Sequence, residues 1–386
     1  MFDRWIQLPV KKSLLLLGPR RSGKTTLLKR RFPKYTYATL DDLDHLAWAQ
    51  SDPKGFVQSL GKRAILDEVQ RHPLLTVAVK FAIDEEDAHF LMTGSSSAGL
   101  LDAGADSLAG RINIRALPTA CWGENAGAPT HRIFEEKVSI AQLRRARRQL
   151  EEALQFGQFP ELLNAGDEEE KREIIRNYRD TYFTRDLMML ANLQNLDGLM
   201  VMYRHLARSI GSLMESSNLA REAGLSFPTA KKYLNSLIQS QLLFKVPGYQ
   251  YGAAKRFIKA SKIYLADMGI AAAFGTPLSM GQRLENFVIA EIEKRRKLGY
   301  FKADRLHHYR SAAGREIDVV IEMGEQVLAI EIKSTEVPGK RDLRNLEDFV
   351  DASAGQLRRI LFYMGLEYRQ IGRVELIPIS ALYRGV

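Results

Sequence analysis

The chain has 386 residues, 45% hydrophobic and 26% charged, which is ordinary for packed globular protein and excludes wholesale disorder, collagen and a disulfide-dense scaffold. A single cysteine, Cys121, permits no internal disulfide, and no apolar run reaches the ~18 residues of a spanning helix, so a cytoplasmic protein without membrane contact is expected. Lys and Arg number 56 against 46 Asp and Glu, a net charge of +10; ten of those cations and only two acids fall between Tyr203 and Lys262, which points to a polyanionic partner.

Ser13–Leu17 reads as a short buried strand ending at Gly18. Tyr35–Leu40, Ala64–Leu66, His89–Thr93 and Arg111–Leu117 read as further strands with helical stretches between them, which predicts a mostly parallel, helix-flanked sheet. From Phe134 to about Leu213 long helical patterns run with few turn signals. Leu219–Val246 reads helix, turn, helix, short strand. From Gly281 a helix over Arg283–Lys297 leads into strands at His307–Tyr309, Glu316–Glu322 and Gln326–Ile332. The outcome is an N-terminal α/β block, a helical and basic middle, and a C-terminal α/β block.

Gly18, Pro19, Arg20, Arg21, Ser22, Gly23, Lys24 and Thr25 fit G-x-x-x-x-G-K-[ST] between a strand and a helix, with Thr26 following. Chance supplies on the order of 0.01 such matches in a chain this long, so the motif is specific. Its backbone N–H groups cradle phosphates, Lys24 contacts the β/γ-phosphates, and the Thr25 hydroxyl holds Mg²⁺. The strand Ala64–Leu66 then ends in two acids: Asp67 as the second Mg²⁺ ligand and Glu68 placed to polarise the attacking water. On these residues the chain resembles the AAA+ ATPases. The resemblance implies ATP and Mg²⁺ as cofactors. It puts Thr93 or Ser95 at the γ-phosphate sensor, where many relatives carry Asn. It also makes Arg111 an arginine finger for a neighbour's γ-phosphate, and hence a homo-oligomer, a hexameric ring.

The segment from Asn218 to Leu237 looks like a helix-turn-helix: Leu219, Ala220 and Ala223 form a short apolar face, Gly224 a turn, Ser226 an N-cap, with Pro228 in the next first turn. Leu242–Val246 and Tyr249–Gly252 are the candidate wing. One reading places the second helix in a DNA groove, with Lys231, Lys232, Lys255, Arg256, Lys259 and Lys262 on phosphates, which positions without specifying sequence. The other makes the winged helix a protein-binding module, and the sequence leaves both open.

Near the C-terminus, Asp318, Glu331 and Lys333 form a D-x12-E-x-K pattern, and strand alternation puts Glu331 and Lys333 on one side. This resembles the PD-(D/E)XK, restriction-endonuclease-like fold. The resemblance implies a second Mg²⁺ site at Glu285, Asp318 and Glu331, with Lys333 activating water. The order of parts, with the phrases Gly157–Glu161, Thr184–Leu187, Lys259–Gly269 and Leu284–Val288, resembles a prokaryotic group of AAA-family ATP-binding proteins with a nuclease-like C-terminal domain of unknown function. The expected domains are an AAA+ nucleotide-binding core over 1–125, a helical lid over 126–200, a basic winged helix over 201–265 and the nuclease-like domain over 266–386. The expected function is an ATP-hydrolysing ring motor that remodels duplex or branched DNA. The alternatives are an ATP-dependent regulatory or defence switch acting through protein contacts, and an ATP-gated Mg²⁺ nuclease.

Overall fold

Four consecutive leucines set the centre of the first sheet: β1 (Ser13–Leu17) is buried along its whole length, as a strand covered on both faces must be. With β2 (Thr36–Thr39), β3 (Arg63–Asp67), β4 (His89–Gly94) and β5 (Ile112–Ala116) it forms a parallel sheet in the order β2-β3-β4-β1-β5. Helices α1 (Lys24–Arg31), α2 (Leu43–Ser51), α3 (Pro53–Ser59) and α4 (Leu75–Glu86) separate the strands, as expected. Because every strand runs the same way, Gly18, Glu68 and Ser95 emerge together at the carboxyl edge, where open α/β sheets bind ligands. This computed structural model describes residues 2–9, 11–96, 108, 110–127, 132–181, 195–249, 260–311, 314–351 and 355–383.

The middle holds α5 (Ile140–Phe156), α6 (Pro160–Leu163), α7 (Glu168–Tyr178), α8 (Leu196–Arg208), α9 (Ser216–Glu222) and α10 (Phe227–Gln239). The long helical reading of this stretch is corrected by breaks with local causes. Ser139 and Gln142 close a capping box at the start of α5, while Asp167, Asn195 and Ser226 cap α7, α8 and α10 through their side chains. Gly157 ends α5 at φ +76°, where a Cβ would stand 1.9 Å from Asp267 Oδ1. Helices α9 and α10 follow the helix-turn-helix pattern, with Gly224 at φ +61° between them. Strand β6 (Leu243–Val246) pairs antiparallel with β7 (Lys262–Leu265), and Tyr249 donates its N–H to the carbonyl of His308, while residues 250–252 of the candidate wing lie outside the described residues.

The C-terminal block comprises α11 (Met268–Ala273), α12 (Met280–Leu298), β8 (His307–Arg310), β9 (Glu316–Met323), β10 (Gln326–Lys333), α13 (Lys340–Asp348), β11 (Gln356–Tyr363), β12 (Arg369–Ile371) and β13 (Val374–Pro378). Its strands make a mixed sheet in the order β12-β13-β11-β10-β9-β8, with β10, β11 and β13 parallel to one another. One apolar core runs from Trp122 to Tyr383, so the expected borders at 200/201 and 265/266 pass through shared packing. Separate clusters built on Phe56, Phe90 and Leu66, and on Leu14, Leu16 and Leu28, fill the N-terminal block.

Gly157→Ala is expected to cost about 2–4 kcal/mol in a urea unfolding experiment, since it adds left-handed strain and a clash with Asp267. Gly299→Ala, at φ +85° with nothing within 4 Å of its Cβ, supplies the comparison and should cost about 1 kcal/mol. Equal losses would mean that the Asp267 contact is not what fixes residue 157.

Candidate functional site

The phosphate loop leaves β1 at Gly18, whose N–H donates to the carbonyl of Gly94 at 3.2 Å, and enters α1 at Lys24. Gly23 sits at φ +87° and Arg21 at φ +60°, so the second of these holds a left-handed conformation that a side-chain-bearing residue rarely takes. Lys24 is buried, with Nζ donating to the carbonyls of Gly18 at 2.8 Å and Pro19 at 3.0 Å. Burial lowers its pKa to about 8, against the opposing pull of Glu68 and Asp67. The loop is also gripped from outside: the Arg4 guanidinium donates to the Ser22 carbonyl at 2.6 Å, to the Pro118 carbonyl and to Glu124. Arg21 pairs with Glu161 at 3.0 Å, while Arg20 faces Glu68 at 4.0 Å.

Thr25 Oγ1 donates to Asp67 Oδ1 at 2.7 Å, joining the two expected Mg²⁺ ligands directly. Asp67 also accepts from Thr93 and, at 3.0 Å, from the hydroxyl of Tyr37. Hydroxyl and carboxylate oxygens suit a hard divalent cation, so this pair fits Mg²⁺. Glu68 lies at φ +59°, and its carboxylate accepts from Gln70 and from Ser95 at 3.2 Å. Lys24, Thr25, Asp67 and Glu68 line a cleft of about 450 Å³ with Thr26 and Tyr178. Thr93 and Ser95 therefore touch the two acids, each through its hydroxyl. Sequence reasoning missed Tyr37, Gln70 and Arg4, which carry no motif. Tyr37 is the most telling, because burial and the Asp67 charge push its phenol up to about 12. The Lys29 ammonium sits over the same ring, 3.2 Å from its centre.

Arg111 begins the strand end opposite the phosphate loop, since Ile112 pairs with Ser13 and Ala116 with Leu17. It grips Asp84 of α4 through Nε at 2.6 and 2.9 Å. A strand of five residues spans about 16 Å, so Arg111 does not serve its own chain's loop.

The structure places Glu285, Asp318, Glu331 and Lys333 at one end of the C-terminal sheet, with the Asp318 charge acting on the other three. Lys262 stands among the acids: Nζ is 2.6 Å from Glu316, 3.8 Å from Glu285 and 4.0 Å from Asp318. Lys333 pairs with Glu331 at 2.7 Å, and Asp318 accepts the Ile332 N–H. Among the described residues no three His, Cys, Asp or Glu side chains are grouped to hold a metal ion. A lysine ammonium supplies positive charge among Glu285, Glu316 and Asp318. The expected place of Lys262 on DNA phosphates is corrected, because only 1% of the residue is exposed and it cannot lie on a DNA-facing surface. Lys231 and Lys232 do stand exposed on α10, whereas Lys255, Arg256 and Lys259 lie outside the described residues. Burial and the Asp318 charge raise both Glu285 and Glu331 to about 7.

Residues 10–125 match the family model described as AAA domain, so the N-terminal block is similar to AAA-family P-loop proteins. Residues 147–282 and 280–382 match two models described as Domain of unknown function (DUF8612) and Domain of unknown function (DUF4143). An uncharacterized protein of Mycobacterium tuberculosis is 25% identical over 347 residues, 86% of this chain and 73% of the relative. Another, of Methanocaldococcus jannaschii, is 25% identical over 351 residues, 86% of this chain and 76% of the relative. Among solved structures, the Walker-type ATPase PABY2304 of Pyrococcus abyssi matches 68% of this chain and 91% of its own, at 15% identity and a TM-score of 0.38. A Signal Transduction ATPase with Numerous Domains from Pyrococcus horikoshii matches 76% of this chain and 46% of its own, at 12% identity and a TM-score of 0.24. Among the described residues no helix is long and apolar enough to cross a membrane.

Burial and the Asp318 charge push the Glu331 carboxyl up from its ordinary 4.5 to about 7, so the folded chain holds the extra proton between those values. Its contribution to stability therefore falls as pH rises through that window. Glu331→Gln is expected to raise the thermal midpoint at pH 8 by more than at pH 5. An equal shift at both would show that the Glu331 carboxylate is not the strained group.

Proposed function

We propose that this chain is a Mg²⁺-dependent ATPase whose nucleotide cycle drives a DNA-binding middle block, with the active assembly a homo-oligomer. The observation that carries the ATPase reading is the 2.7 Å contact of Thr25 with Asp67, beside Lys24 and one residue from Glu68. Lys24 keeps its proton at neutral pH and offers a buried cation to the β/γ-phosphates. Bound Mg²⁺, held by Thr25 and Asp67, supplies neutralising charge for the phosphates. Glu68, oriented by Gln70 and Ser95, is the group to hold the attacking water. Arg111 belongs to a neighbour's site, which requires it to exchange Asp84 for phosphate. The exposed Lys231 and Lys232 support contact with DNA phosphates, and burial, with the nearby Lys231 charge, lowers the pKa of Lys245.

A second reading, an ATP-dependent switch with slow turnover, is favoured by one observation. Oε2 of Glu68 is already engaged by Gln70 and Ser95 and faced by Arg20, which leaves Oε1 alone to orient water.

ATP hydrolysis measured with Mg²⁺ alone and with single-stranded, duplex or four-way-junction DNA separates the two. The proposal expects stimulation by one DNA form, reduced about 100-fold or more in Glu68→Gln. Turnover that ignores every DNA form would move the assignment to the switch.

A further inference from the structure

We propose that α5 carries a phosphate-binding surface of Arg144, Arg145 and Arg148, which takes the backbone of a nucleic acid beside the acid end of the C-terminal sheet. The sequence places four arginines within five positions of one amphipathic helix. Leu143, Ala146, Leu150 and Leu154 turn inward to the core, which leaves Arg144, Arg145 and Arg148 exposed on the outer face. Among the described residues none of these three has a carboxylate partner.

The neighbouring side chains fix where that face stands. Arg147 donates to the Met364 carbonyl and pairs with Glu336 at 2.8 Å. Met364 follows β11 and Glu336 lies three residues past Lys333, so both belong to the sheet end that carries Glu331 and Lys333. One turn on, Glu151 pairs with Arg283 at 3.1 Å, two residues before Glu285 on α12. The helix is thus clamped along the acid end, with its arginine face turned to solvent beside it.

The chemistry favours a polyphosphate chain. Guanidinium forks match phosphate oxygens bidentately and are never neutral. Arg144 and Arg148 stand one turn apart, a rise of about 6 Å, comparable to the separation of neighbouring phosphates along a strand. A lipid surface fits less well, because the apolar stripe that an interfacial helix inserts is here buried in the core. The proposal takes the identity of the polyanion from the DNA-directed reading above but uses different residues.

The test is fluorescence anisotropy of labelled duplex and single-stranded DNA with the full chain, across roughly 50–200 mM salt. It compares wild type, the triple Arg144→Gln, Arg145→Gln, Arg148→Gln, the matching triple to Lys, and the pair Lys231→Gln, Lys232→Gln. The Gln triple is expected to weaken binding about 10- to 100-fold and to flatten the log–log salt slope by about 2–3, while the Lys triple keeps the slope. Unchanged unfolding midpoints, expected for exposed positions, confirm that the fold is intact. An unaltered slope in the Gln triple with a loss in the Lys231/Lys232 pair overturns this surface and leaves the DNA-directed reading standing. The reverse pattern upholds the surface and removes the α10 face. Binding to phosphatidylserine vesicles but not to DNA, or to neither, overturns the proposal.

Discussion

Everything between the two α/β blocks depends on one buried ionic knot. Lys294 on α12 holds Asp267 at 3.0 Å, Glu291 at 3.1 Å and the Ala120 carbonyl at 3.0 Å, all essentially without solvent. Asp267 also accepts from Thr119, Gln158 and Gly269, and Glu291 from the Trp122 N–H and Arg295. Charges this deep are tolerated only when each is matched, and removing one partner of such a pair typically costs about 3–5 kcal/mol. The knot therefore fixes the segment after β5, the end of α5 and the start of α11 against α12 at one point. It raises the Lys294 pKa and lowers that of Glu291 despite burial, because each sits among opposite charges.

The nucleotide cleft is tied to that knot through few bonds. Arg4 spans from the Ser22 carbonyl to Glu124, and Glu124 also accepts the N–H of Cys121, next to the Trp122 that contacts Glu291. A shift of the phosphate loop thus meets a continuous path of hydrogen-bonded groups leading to α12, the helix that also bears Glu285. Such contiguity is a physical route for coupling, and the left-handed Arg21 and Glu68 are the strained positions at its start.

At the far end of α12 a different electrostatic solution operates. Several acids converge on one end of a sheet, and Lys262 from the β6–β7 hairpin enters among them. Its ammonium stays charged although buried, held up by Asp318, Glu285 and Glu316. The hairpin and the sheet are consequently joined by charge as well as by the apolar core. The four-arginine helix lies against the same sheet end, which concentrates opposite charges on neighbouring surfaces.

What the sequence determined by itself is local. The Gly-rich loop, the apolar strand ending at Asp67 and Glu68, the alternation of strands and helices and the cap at Ser226 rest on contacts within a few residues, so spacing and residue type expose them. The D-x12-E-x-K pattern likewise put Glu331 and Lys333 on one side of a strand, because alternation is a property of the backbone. What only the tertiary structure decided is partner choice across long separations. Tyr37 and Thr93 reach Asp67 from different strands, Gln70 and Ser95 share Glu68, and β6 pairs with the distant β7. Lys262 read as one more cation in a basic run, and burial beside three carboxylates turned it into an internal counterion. Charge is visible in a sequence, but solvation and the nearest opposite charge are set by the folded environment, and these decide what a charged residue does.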